Sequence, residues 1–259
     1  MEENTRENKM GTMPIGKLLA NMAGPVMISM LFQALYNIVD SVFVARLSQD
    51  AMNAVSLAFP LQMLCIAFSV GTGVGMNALL ARSLGEKNQT AVNRAAGTGL
   101  FLTLCTAAVF MLLGFSLATP FFRFQTANEQ IIAYGQAYVR ICIGCSLGIF
   151  VQVYGERLLQ ATGRTNLSMI SQIVGAVCNI VLDPILIFGL LGFPRMEVAG
   201  AAVATIVGQF VGAGLGLFLN LKKNPEVQIH LKDIRPHRAT VADIYAIGIP
   251  SIIMQSIGS

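Results

Sequence analysis

Residues 51–81, AMNAVSLAFPLQMLCIAFSVGTGVGMNALLA, decide the fold: no Asp, Glu, Lys or Arg interrupts the stretch. A helix crosses the hydrocarbon of a bilayer in about 20 residues, so this run is long enough to span it with length to spare. Residues 18–39, 95–122 and 198–221 are equally free of charge. Two shorter runs, 141–155 and 165–182, continue as apolar sequence past one charged residue each. None alternates apolar and polar residues as a transmembrane barrel strand must. Composition points the same way, with 54% hydrophobic and 12% charged residues and a mean hydropathy of +0.66. Soluble domains carry about twice that share of charge. A disordered, collagen-like or coiled-coil chain is excluded, and so is a nucleic-acid-binding stripe, because the basic residues lie scattered between apolar runs. The expected fold class is an all-α integral membrane protein.

Six spans are expected near 15–45, 51–80, 95–119, 133–159, 167–191 and 197–221. Breakers at Gly85-Glu86-Lys87-Asn88, Thr119-Pro120, Gly163-Arg164-Thr165-Asn166 and Gly192-Phe193-Pro194 mark loops. The chain divides into a polar tail (1–14), a six-helix transmembrane lobe (15–221), a polar loop (222–238) and a seventh apolar run (239–259). With the N-terminus inside, thirteen of the seventeen Lys and Arg residues fall on the inner side, which predicts a cytoplasmic tail and a cytoplasmic 222–238 loop. A cell membrane, plasma or bacterial inner, is the expected location. Ala23-Gly24-Pro25 in span one resembles Gly248-Ile249-Pro250 in run seven, as in a protein of two six-helix halves.

Ionisable groups inside a bilayer are costly and mark function by default. Asp40, Asp183 and Glu156 qualify. Ser29, Gln33, Tyr36 and Asp40 follow one another at spacings of four, three and four, so they share one helix face. Ser168, Gln172, Gly175, Asn179 and Asp183 form a matching stripe on span five, and Thr205 and Gln209 a third on span six. If the stripes face each other, Asp40 and Asp183 share one wet pocket lined by Gln33, Tyr36, Gln172 and Gln209. Two carboxylates in a low-dielectric site resist double ionisation and can exchange protons. Alternatively, the oxygens of Asp40, Asn179, Asp183 and Thr205 can hold a hard cation such as Na+. The plainer alternative is that the neutral polar groups only join helices. Glu156 beside Arg157 is expected to be an ion pair at the inner interface. Pro25 frees a backbone carbonyl in span one, as either a fixed kink or a hinge. Gly71-x-Gly73-x-Gly75 is expected to serve close helix packing, since no strand precedes it.

Several stretches resemble the multidrug and toxic compound extrusion (MATE) transporters, within the polysaccharide-flippase superfamily. They are Ala23-Gly24-Pro25, residues 33–47 (QALYNIVDSVFVARL), residues 54–60 (AVSLAFP), residues 158–163 (LLQATG), residues 179–184 (NIVLDP) and residues 200–205 (GAAVAT). The resemblance runs from about residue 15 onward. It implies a twelve-helix transporter with two six-helix lobes, of which this chain supplies the first lobe and the start of helix seven. It also implies export of small organic cations or amphipathic molecules in exchange for H+ or Na+, with no other cofactor. In the DinF-like branch the first lobe holds the coupling site, which maps onto Asp40, Asn179, Asp183 and Thr205, with Tyr36 beside it and Pro25 as the bending point. The C-terminal lobe that family members carry is then the expected partner.

A lipid-linked saccharide flippase of the same superfamily is the alternative. Its phosphates would call for several basic residues in the spans, where only Arg140 stands out. A membrane-embedded enzyme fits less well, because His230 and His237, the two histidines, both lie in the polar loop.

Overall fold

The computed structural model describes residues 13–228 and 233–257. Most of the expected N-terminal tail (1–12), part of the polar loop (229–232) and residues 258–259 lie outside the described residues. The described residues form eight α-helices in order: α1 (Ile15–Ala45), α2 (Gln49–Gly85), α3 (Gln89–Gln125), α4 (Glu129–Cys142), α5 (Leu147–Ala161), α6 (Thr165–Phe188), α7 (Glu197–Lys223) and α8 (Arg238–Ile257). Among the described residues, six of these are long and apolar enough to cross a membrane, and the bent pair α4–α5 makes a seventh. The chain is therefore an all-helical, multi-pass membrane protein.

Short polar links end the helices where cap chemistry allows. Ser48 accepts from the Ala51 N–H at 3.0 Å, and Asn88 from the Ala91 N–H at 3.1 Å. Asn128 accepts from the N–H groups of Gln130 and Ile131. Each satisfies a donor that the first helical turn leaves open.

Two expectations fail here. Thr119-Pro120 does not end span three, because α3 continues through Pro120 to Gln125. One lost backbone hydrogen bond is outweighed by the packing of Phe122, which is fully buried against Gly135 of α4. Span four is not one helix but α4 and α5, bent by 42°. At the break a side chain on Gly144 would strike the Arg140 carbonyl and the Phe115 ring, and Gly114 of α3 sits equally tightly against residues 143 and 144. The close approach of α3 thus occupies the space a straight helix would need.

The Gly71-x-Gly73-x-Gly75 stripe works as expected for helix packing. A methyl on Gly75 would overlap the Ile244 carbonyl, and one on Gly71 would overlap the Ile252 side chain, so α8 lies directly on α2. The described parts of the 222–238 loop are docked on α3 rather than free. Thr98 Oγ1 donates to the Arg235 carbonyl (3.0 Å), Gln89 Nε2 donates to the Glu226 carbonyl (2.9 Å), and the Gln228 N–H donates to Asn93 Oδ1 (3.3 Å).

Gly75→Ala is expected to lower stability by about 1–3 kcal/mol, because the added methyl forces α8 away from α2. Gly214→Ala, where nothing lies within 4 Å of the added carbon, is expected to leave stability unchanged or slightly raised. Thermal unfolding of the two purified variants in one detergent checks the contrast.

Candidate functional site

Helices α1, α2, α5, α6, α7 and α8 enclose a cavity of about 370 Å³. That is within the range of small-molecule sites. All four residues expected to line it do so: Gln33 and Tyr36 from α1, Gln172 from α6 and Gln209 from α7. Asn179 and Thr205 face it as well. The apolar part of the wall comes from side chains such as Val26, Met30, Ile66 and Val70. Pro25 lies inside α1, next to Val26.

Asp40 and Asp183 do not line this cavity. Each lies one helical turn beyond a residue that does: Asp40 four residues past Tyr36, and Asp183 four past Asn179. Both carboxylate residues are buried, Asp183 completely. The three expected stripes therefore converge on the cavity, but both acids lie one turn beyond its wall.

Asp183 is held by Asn179. Its amide, oriented so that both atoms meet complementary partners, donates to Asp183 Oδ2 at 3.2 Å. Its oxygen accepts from the Thr205 N–H at 3.1 Å and lies 3.2 Å from the Thr205 hydroxyl, whose single proton it shares with the Ala201 carbonyl at 3.0 Å. The reach across helices depends on a glycine pair. A methyl on Gly208 would come within 2.7 Å of the Gly175 carbonyl oxygen, so α6 and α7 meet almost backbone to backbone just below Asn179. Asp183 is completely buried, and the following Pro184 leaves the Ile180 carbonyl without its helical donor. Asp40 is 9% exposed, and its Oδ1 is buried with no hydrogen-bond partner. The C-terminal end of α1 is fixed to α6 by Phe43 against Phe188, edge to face at 6.1 Å.

These donors fit a proton or a hard cation. Asp40, Asp183 and Thr205 carry carboxylate and hydroxyl oxygens of the kind such ions take, and the buried Asp40 Oδ1 lacks a hydrogen-bond partner.

The expected interfacial ion pair of Glu156 with Arg157 is not formed. Ion pairs among the described residues are Arg82–Glu86, Arg164–Glu226 and Arg195–Glu197. Glu156 instead accepts from Gln152 Nε2 (2.9 Å), Arg157 Nη1 donates to Gln160 Oε1 (2.8 Å), and both charged residues line the cavity. Consecutive residues on a helix point about 100° apart, which separates the pair. A signal for this face was present in the sequence: Gln152, Glu156 and Gln160 recur every four residues. Ser251 and Gln255 of α8 also line the cavity and were missed as site residues.

The MatE family model matches residues 25–185. The chain is 30% identical over 245 residues to a Shewanella oneidensis protein named FAD transporter, covering 94% of this chain and 54% of that protein. It is 30% identical over 243 residues to a probable multidrug resistance protein, NorM, of Thermotoga maritima, covering 92% of this chain and 51% of the relative. Among solved structures, an outward-facing multidrug resistance MATE transporter of the MOP superfamily superposes with a TM-score of 0.89 at 29% identity, covering 98% of this chain and 56% of that one. A MOP superfamily transporter from Pyrococcus furiosus gives the same values. The chain spans about half the length of the curated relatives it matches.

Asn179→Leu is expected to destabilise the protein more than Thr205→Val, since it strips Asp183 of its donor as well as Thr205 of its partner. A double-mutant cycle by thermal unfolding should give a coupling of roughly 0.6 kcal/mol between the two positions. Strict additivity would contradict the bridge.

Proposed function

Because this chain belongs to the MatE family, we propose that it forms the substrate- and ion-binding lobe of a cation-coupled exporter of small cationic or amphipathic molecules. One observation carries the proposal. The Asn179 clamp joins the buried Asp183 directly to the wall of a cavity large enough for an organic solute, and a second buried acid with an unpartnered oxygen, Asp40, lies one turn past Tyr36 of the same wall.

The lobe occupies residues 15–221, the 222–238 loop lies on the cytoplasmic side, and helix α8 begins a second lobe. That second lobe, which the family's members carry, closes the cavity from the other side. Either H+ or Na+ bound at Asp40, Asn179, Asp183 and Thr205 drives the cycle. Its arrival offsets one of the two carboxylate charges and satisfies Asp40 Oδ1, which lowers the cost of holding α1 against α6. The ion drives transport only because it binds one arrangement of the helices more tightly than the other. Pro25, with the carbonyl it frees, is where α1 bends between the two. Substrate released from the cavity is thereby exchanged for the incoming ion.

The test is export of a fluorescent cationic dye from cells that express the chain together with the sequence that follows it in its gene. Asp40→Asn and Asp183→Asn are each expected to reduce export to the vector background while membrane protein levels hold. Export unchanged in both variants would sink the coupling-site assignment.

A further inference from the structure

Two cavity-lining residues, Ser251 and Gln255, stand on α8, and the chain reaches α8 from α7 through the polar segment 222–238. The described parts of that segment, 224–228 and 233–237, lie along α3, which supplies none of the cavity's lining. We propose that they form a strap that latches α8 against α2, so that α3 residues remote from the cavity control how well it holds a ligand. The ligand half of this statement rests on the reading that the cavity is the substrate site.

The strap is gripped by its main chain. Gln89, Asn93 and Gly97 follow one another at intervals of four, so they share one face of α3, and Thr98 adjoins them. Gln89 and Thr98 donate to the carbonyls of Glu226 and Arg235, and Asn93 Oδ1 accepts from the Gln228 N–H. Thr98 is fully buried. At Gly97 an added carbon would overlap the Asp233 carbonyl, so the backbone of the strap lies directly on the helix there. Side chains that pair with main-chain groups fix where an extended segment runs, whatever side chains it carries. Arg164 adds an ion pair to Glu226 at 3.7 Å, and Val227 packs onto the apolar cluster that includes Val92, Ala95 and Ala96 of α3.

The grip passes straight to α8, which opens three residues after Arg235. Ile244 is fully buried in the cluster that Val227 joins, with Val241 and Tyr245 packed beside it. The next contacts are the seam with α2. An added carbon on Gly75 would overlap the Ile244 carbonyl, and one on Gly71 would come within 3.0 Å of the Gly248 carbonyl oxygen. Val70 and Val74, each one residue before a seam glycine, line the cavity, as do Ser251 and Gln255 beyond the seam. The α8 part of the wall is therefore in place only while the seam is shut. Lipid tails are as apolar as the seam, so hydrocarbon gives α8 little reason to prefer α2 over lipid beyond close packing. Polar contacts that tether the start of α8 raise its effective concentration at α2 and keep the seam closed.

Two variants release the strap by different means. Gly97→Leu drives a side chain into the Asp233 backbone, and Thr98→Val removes one hydrogen bond at nearly constant volume. Amide hydrogen exchange of the purified chain is read by mass spectrometry, with its affinity for a fluorescent cationic dye measured alongside. Thr98→Val is expected to speed exchange over residues 240–248 about fivefold, and Gly97→Leu more, while exchange in α6 stays native. Dye affinity is expected to fall in the same order. Faster exchange confined to the strap, with α8 and dye affinity native, would overturn the latch. Faster exchange spread evenly over all the helices would also overturn it, since that marks a general loss of stability. If Gly97→Leu does not fold, Thr98→Val decides. A native chain that binds no dye would remove the substrate-site reading, and exchange in α8 would still decide the latch.

Discussion

A carboxylate held inside hydrocarbon constrains the structure around it more than any apolar contact does. Asp183 is fully buried, so the surrounding helices must bring it a donor, and Asn179 is that donor. Asn179 can also reach Thr205 only because Gly175 and Gly208 let α6 and α7 touch. The acid, the amide, the hydroxyl and the two glycines therefore stand or fall together. They place Asp183 one turn away from the cavity wall that Asn179 itself helps to form.

Most of the architecture was legible in the sequence because a bilayer imposes simple rules. Runs without charge longer than about 20 residues can only be spans, and a spacing of three and four puts polar side chains on one face. Asp40, Asn179, Asp183 and Thr205 were picked out in that way, and hydrogen bonds join Asn179 to Asp183 and Thr205. The glycines of α2 were legible for a similar reason, since small residues in a membrane helix allow close approach.

What sequence missed depended on tertiary contact. Pro120 has the marks of a terminator, yet the pocket that buries Phe122 carries α3 past it. The break between α4 and α5 comes from the pressure of α3 at Gly114 and Gly144, which no local pattern announces. Glu156 and Arg157 looked like neighbours that would neutralise each other. The helix turns them apart and gives them separate amide partners, leaving both charges on the cavity. The acids' exclusion from the cavity wall was equally invisible, because a shared face does not fix depth.

The central claim is that the acid layer and the cavity are energetically linked through Asn179. Linkage requires that the coupling ion and the cavity ligand change each other's affinity. The most direct measurement is the affinity of the purified chain for a fluorescent cationic dye, titrated across pH and Na+ concentration, with the Asp40→Asn/Asp183→Asn double variant beside it. The account predicts that dye binding weakens as H+ or Na+ rises, and that the double variant loses this dependence while still binding dye. Dye affinity that ignores both ions in the native chain, or an ion dependence that survives loss of both acids, would contradict it.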